Sequence, residues 1–139
     1  MSEQRIVFTN PDGTVGVIIP APGISLARAV QDVPATATAE VIVDAEALPA
    51  DRLFRAAWTL QDEALVECPV KSKVVAHELR RAKRAAEFAP FDDVIAKRLP
   101  GEEEAEAERV LIRAKYAALQ DSLDSAETVE ELKSILKSH

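Results

Sequence analysis

Apolar residues in the first half of the chain come in short runs broken by proline and glycine; in the second half they recur at helical spacing. Arg5-Ile-Val-Phe-Thr9 is a β-branched and aromatic run. Asn10-Pro-Asp-Gly13 then sets proline and glycine where a tight turn needs them, and Thr14-Val-Gly-Val-Ile-Ile19 leads the chain back. The pattern predicts a β-hairpin. Pro20-Ala-Pro-Gly23 ends it, and Ser25 is placed to cap a short helix reaching about Gln31. Ala39-Glu-Val-Ile-Val43 alternates as a third strand. Asp51 heads a helical turn over residues 52–57. Trp58-Thr-Leu60 and Ala64-Leu-Val-Glu-Cys68 predict a second hairpin around Gln61-Asp-Glu63, a turn without glycine.

After Pro69 the chain is rich in Ala, Leu, Lys, Arg and Glu, which are strong helix formers. The spacing predicts a helix from Ser72 to Phe88, stopping before Pro90, with Val75, Leu79, Ala82 and Ala86 as its apolar stripe. A short helix over 92–99 should end at Pro100-Gly101. A long helix follows from Glu102 to about Leu123. One of its stripes holds Leu111, Ala114 and Ala118; beside it run Ile112, Tyr116, Leu119 and Leu123. Glu102, Glu103, Glu104, Glu106 and Glu108 suit the positive end of its dipole. Thr128 and Glu131 form a capping box for a last helix, whose narrow apolar face is Val129, Leu132, Ile135 and Leu136. The expected class is α+β: a small antiparallel sheet with short helices over 1–69, then a helical hairpin or bundle over 70–139.

Composition sharpens this picture. With 139 residues, 47% hydrophobic and 29% charged, the chain can bury a core without metals or disulfides. Its single cysteine, Cys68, forms no intramolecular disulfide and fits a reducing compartment. The N-terminus lacks the apolar region of a secretory signal, and no run approaches the ~18 apolar residues of a membrane helix. The chain therefore reads as soluble. Few aromatics and many alanines predict close helix packing around a modest core, one that a second copy could complete; a homo-oligomer stays open.

Net charge is −7, which opposes general binding to nucleic acid. The charge is uneven. Residues 1–66 carry four basic and nine acidic side chains, residues 67–100 eight and five, and residues 101–139 five and ten. In the basic middle, Lys73, His77, Arg80, Arg81 and Arg84 share one helical face, read as opposite the apolar stripe. Two readings are open: a solvated face paired with acidic neighbours such as the glutamates of the long helix, or a docking surface for an acidic protein partner. No aromatics interleave with these arginines, so stacking on nucleic-acid bases is not expected. Leu132, Ile135 and Leu136 are a second candidate surface if the interior does not take them all.

Catalytic chemistry finds no support in the motifs. Cys68 and His77 are the nearest approach to a nucleophile and base, and no signature surrounds either. There is no Cys-x-x-Cys, His-Glu-x-x-His or calcium loop, and no glycine-rich phosphate cradle, so neither metal nor cofactor is expected. Trp58, with Phe54, reads as core.

Three segments carry a family resemblance: Arg5-Ile-Val-Phe-Thr-Asn-Pro-Asp-Gly-Thr-Val-Gly-Val-Ile-Ile-Pro-Ala-Pro22, then Pro49-Ala-Asp-Arg-Leu-Phe-Arg-Ala-Ala-Trp58, and an arginine-rich helix with an acidic tail ending Glu130-Glu-Leu-Lys-Ser-Ile-Leu136. Together they resemble small phage and prophage tail-associated proteins, similar in style to tail-fibre assembly proteins and tail assembly chaperones. The resemblance implies a non-catalytic role, in the virion or the host cytoplasm, binding tail or tail-fibre protein as a minor component or assembly factor. It carries no residue-level motif. An unrelated acidic adaptor that inhibits a host protein is the alternative.

Overall fold

A computed structural model gives the structure of residues 3–139, and it is α+β. Five strands, β1 (Gln4–Thr9), β2 (Val15–Ile18), β3 (Ala39–Asp44), β4 (Trp58–Gln61) and β5 (Ala64–Glu67), precede most of the helix. α1 (Leu26–Val30) interrupts them, and α2 (Pro69–Ala96), α3 (Glu102–Ser125) and α4 (Val129–Lys137) follow. The chain divides between Lys71 and Ser72 into a sheet unit and a helical unit.

In the sheet unit β1 is central, antiparallel to β2 on one side and β3 on the other. Its Ile6, Val7 and Phe8 are all buried, as expected where both faces of a strand are covered. The connection to β2 is a three-residue loop. Gly13 N–H donates to Asn10 O at 2.9 Å, Asn10 N–H to Thr14 O at 2.8 Å, and Gly13 takes a φ of 87° that glycine adopts freely. The exposed Asp12 carboxylate is held below its ordinary range, first by the Thr14 hydroxyl and then by the Thr14 N–H. Ser25 caps α1, its hydroxyl accepting from Arg28 N–H at 3.1 Å.

β4 and β5 form a second hairpin, closed between Gln61 and Ala64. Asp62 and Glu63 both have positive φ, 51° and 64°, the geometry of a two-residue turn that usually recruits glycine. This hairpin packs on β1 and β2. Trp58 joins Val7 and Val15 in a core bordered by Val17, Val41, Val43, Leu48, Leu60 and Leu65.

Gly16 faces Phe8 across the β1–β2 ladder, and a Cβ there would overlap the Phe8 ring. Phe8 is itself buried, so the ring has little room to yield. Gly16→Val should therefore destabilise the chain by about 1–3 kcal/mol, read as a lower denaturant midpoint with unchanged slope.

The helical unit differs from expectation in two respects. First, α2 does not stop before Pro90; it runs on to Ala96, replacing the separate helix expected over 92–99. Pro90 and Ala86 are both exposed, so the Ala86 carbonyl that loses its N–H donor lies on the solvent side of the helix. On the other side of the helix Phe88 is buried and Phe91, Val94 and Ile95 are half-buried, so the inward apolar face continues across the proline. The helix ends at Arg98 (φ 50°), with Leu99 N–H donating to Val94 O and Arg98 N–H to Ile95 O, a Schellman closure.

Second, most of the expected stripe of α2 faces outward, Val75 alone being half-buried. Leu79 is 37% exposed, and Ala82 and Ala86 are exposed too, while Ser72, Ala76, Arg80 and Phe88 are buried. In α3 the stripe with Leu111, 63% exposed, likewise faces out, and Ala105, Ile112, Tyr116, Leu119 and Leu123 form the buried face. In α3 the outward stripe is mostly alanine, which contributes little apolar area, so the face carrying Ile112, Tyr116, Leu119 and Leu123 gains more from burial. Thr128 caps α4 by accepting from Glu131 N–H at 3.1 Å, but the Glu131 carboxylate reaches Glu127 N–H rather than Thr128.

Candidate functional site

Helices α2 and α3 run antiparallel, joined along their length by side-chain pairs. His77 Nε2 lies 2.8 Å from Asp124 Oδ1, Lys115 Nζ 2.9 Å from Glu87 Oε1, and Arg109 Nε 2.9 Å from Asp92 Oδ1. Lys83 Nζ reaches the carbonyl of His139 beyond α4. This register decides which basic side chains meet.

Lys73 and His77 are tied to the end of α3. Lys73 Nζ donates to the Asp124 carbonyl at 3.0 Å, where the negative end of the helix dipole favours a cation. His77 holds the Asp124 carboxylate with one ring nitrogen and accepts from Arg80 Nε–H at Nδ1, 3.2 Å away. That acceptance puts the ring proton on Nε2, from which it is donated to Asp124. The partner of Lys73 and His77 is therefore Asp124, not the glutamates at the start of α3.

Arg80 corrects the expectation most. Instead of lying on an outer basic face it is 8% exposed, inside the helix pair. A long side chain can bury its methylenes while its head reaches polar ground. Arg81 and Arg84 remain exposed, and the Arg84 guanidinium sits 4.7 Å from the centre of the Phe88 ring. Across from them α3 presents Arg113, Ala117 and Gln120. Together these six residues line an open hollow of about 370 Å³. Arg113 was missed from sequence because only the α2–α3 register brings it opposite Arg80.

No carboxylate lines the hollow. The nearest compensation is Glu106, 3.2 Å from Arg113 and also paired with Arg109 at 2.7 Å. Both arginines hold its carboxyl below the ordinary range, Arg109 first. Four guanidiniums around one volume repel one another, and an anion entering it gains from all of them.

The second candidate surface turns inward. Leu132 is buried with Val129 in the helical core, and Ile135 and Leu136 are half-buried. Leu132 is therefore unavailable for docking. Cys68, half-buried after β5, donates its N–H to Ala57 O at 2.9 Å. Among the described residues no three metal-ligating side chains group together, and no helix is long and apolar enough to cross a membrane.

One buried tyrosine lies on the opposite edge of the α2–α3 interface. The Tyr116 hydroxyl faces Glu87, and burial, reinforced by that carboxylate, pushes the phenol up to about 12 from an ordinary 10.0. Raising an acid's value favours its neutral form in the fold. The resulting stability is complete below pH 10 and lost as pH rises through about 12. Tyr116 is the sole tyrosine, so its phenolate absorbance at pH 11 should be much weaker in the folded chain than in urea. Equal ionisation in both states would remove Tyr116 from the interior.

Comparisons with known proteins add no identification: no family model, curated protein or solved structure matches the chain.

Proposed function

We propose that this chain is a non-catalytic bacteriophage tail-associated protein that binds tail or tail-fibre protein, as a minor virion component or an assembly factor. The observation that carries the binding role is the hollow of Arg80, Arg81, Arg84 and Arg113, lined by four cations and no carboxylate. It favours a partner presenting clustered Asp or Glu side chains, since guanidinium groups pair with carboxylates in a planar, two-bonded geometry. The assignment to tails rests on the resemblance carried by Arg5–Pro22 and Pro49–Trp58. The role places the protein in the virion or the host cytoplasm.

Capture with tagged protein from its native lysate, followed by mass spectrometry, tests the reading. Tail or fibre protein in the eluate supports it; their absence there and of this chain from purified virions overturns it.

One observation favours a second reading, an acidic adaptor or inhibitor of a host protein. Glu102, Glu103, Glu104 and Glu108 are exposed on the first turns of α3. Recovery of a host enzyme, lost when these glutamates are replaced by Gln, would favour that role over the tail reading.

A further inference from the structure

The sheet unit holds a pocket of about 360 Å³ that the docking reading does not use. Val17, Ile19, Leu48 and Pro49 give it an apolar lining, and Trp58 adds an aromatic one. Its polar lining is entirely cationic: Arg5, Arg52 and Arg55. No acidic residue lines it.

The three arginines are not equally engaged. Arg5 pairs with Glu3 at 2.7 Å. Arg55 Nη2 donates to the Val15 carbonyl at 2.7 Å, and its guanidinium lies 4.5 Å from the centre of the Trp58 ring. Both contacts orient Arg55 without neutralising it. The Asp51 carboxylate, next to Arg52 in sequence, accepts from Leu53 N–H at 3.2 Å. Burial, and then the charge of Arg52, loosen the hold of Arg55 on its proton. A carboxylate entering the pocket would reverse the second of these effects. The buried Trp58 indole N–H has no acceptor among the described residues.

We propose that this pocket binds a small amphipathic carboxylate, a monocarboxylic acid with an alkyl or arylalkyl body. The two halves of the lining set that class. Arg52 and Arg55 call for a single planar oxyanion, and guanidinium is the side chain that matches it with two parallel bonds. Val17, Ile19, Leu48 and Pro49 call for an apolar body, which excludes a free phosphate or a polyphosphate as the fitting ligand. The volume lies near the lower end of the range of roughly 300–1,000 Å³ typical of small-molecule sites. The inference uses only the sheet unit, so it stands or falls independently of docking at the arginine hollow.

Trp58 is the sole tryptophan and lines the pocket, so its fluorescence reports occupancy directly. Octanoate, octanol, octylamine and inorganic phosphate are titrated separately into the full chain. Octanoate should change the emission saturably, with octanol, octylamine and phosphate each at least tenfold weaker. Arg52→Gln, at an exposed position, should weaken octanoate at least tenfold without moving the melting temperature. Arg55→Lys, which keeps the charge but loses the planar fork, should also weaken it. Octanol or phosphate binding as tightly as octanoate overturns the proposal. So does an octanoate affinity unchanged in Arg52→Gln, or the absence of any saturable change.

Discussion

Replacing Trp58 by alanine should lower the unfolding free energy by about 3–5 kcal/mol. Trp58 is 3% exposed and sits where the two sheets meet, against Val7 and Val15. Truncation removes the largest side chain of this cluster and leaves a space that the bordering valines and leucines fill only in part. It also strips the Arg55 guanidinium of its aromatic neighbour. Trp58→Phe is the informative control. The indole N–H has no acceptor, so deleting it leaves no broken hydrogen bond. The phenylalanine variant should therefore lose well under half as much. Chemical denaturation followed by circular dichroism measures both, and a loss below about 1 kcal/mol for Trp58→Ala would show that the ring is not core.

Reversing Arg81, Arg84 and Arg113 together to glutamate should weaken association with an acidic partner about a hundredfold or more, by replacing attraction with repulsion at three positions. Arg80 is left in place. It is enclosed and bonded to His77, so its reversal would disturb the helix pair and confuse folding with binding. The other three are more accessible, and the ion pair between Arg113 and Glu106 is an exposed surface pair that adds little to stability. Melting should move little. Wild-type association should also fall steeply with added salt, because exposed charges are screened within about 10 Å at 0.1 M. The partner recovered by affinity capture supplies the binding assay. Unchanged affinity in the triple variant would assign the hollow to ordinary surface and leave the tail reading to be tested elsewhere.

The candidate site was half legible. Lys73, His77, Arg80, Arg81 and Arg84 stand out at helical spacing, but the structure divides them: Lys73 and His77 pair with the end of α3, and Arg80, Arg81 and Arg84 line the hollow. Their environment was not legible. Asp124 lies 47 residues from His77 and Arg113 lies 33 from Arg80, separations at which no local pattern signals contact. The pocket of the sheet unit was less visible still. Arg52, Arg55 and Trp58 share a short segment, but Arg5, Val17 and Ile19 reach it only through the pairing of β1 with β2.

What the sequence determined by itself is local chemistry. Pro11 and Gly13 set the first turn, Ser25 and Thr128 cap their helices through their own hydroxyls, and β-branched runs become strands. The turn and the caps depend on groups within about four residues, so nothing distant overruled them, whereas the strands also needed partners as far away as Ile6 and Ile42. The choice of buried face belonged to the tertiary structure. α3 carries two candidate apolar stripes, and periodicity alone ranks them nearly equal. Packing broke the tie in favour of the larger side chains of Ile112, Tyr116, Leu119 and Leu123, and in α2 it drew Phe88 and Arg80 inside. The same packing carried α2 through Pro90, because its inward face continues beyond the proline and the carbonyl it frees opens to water.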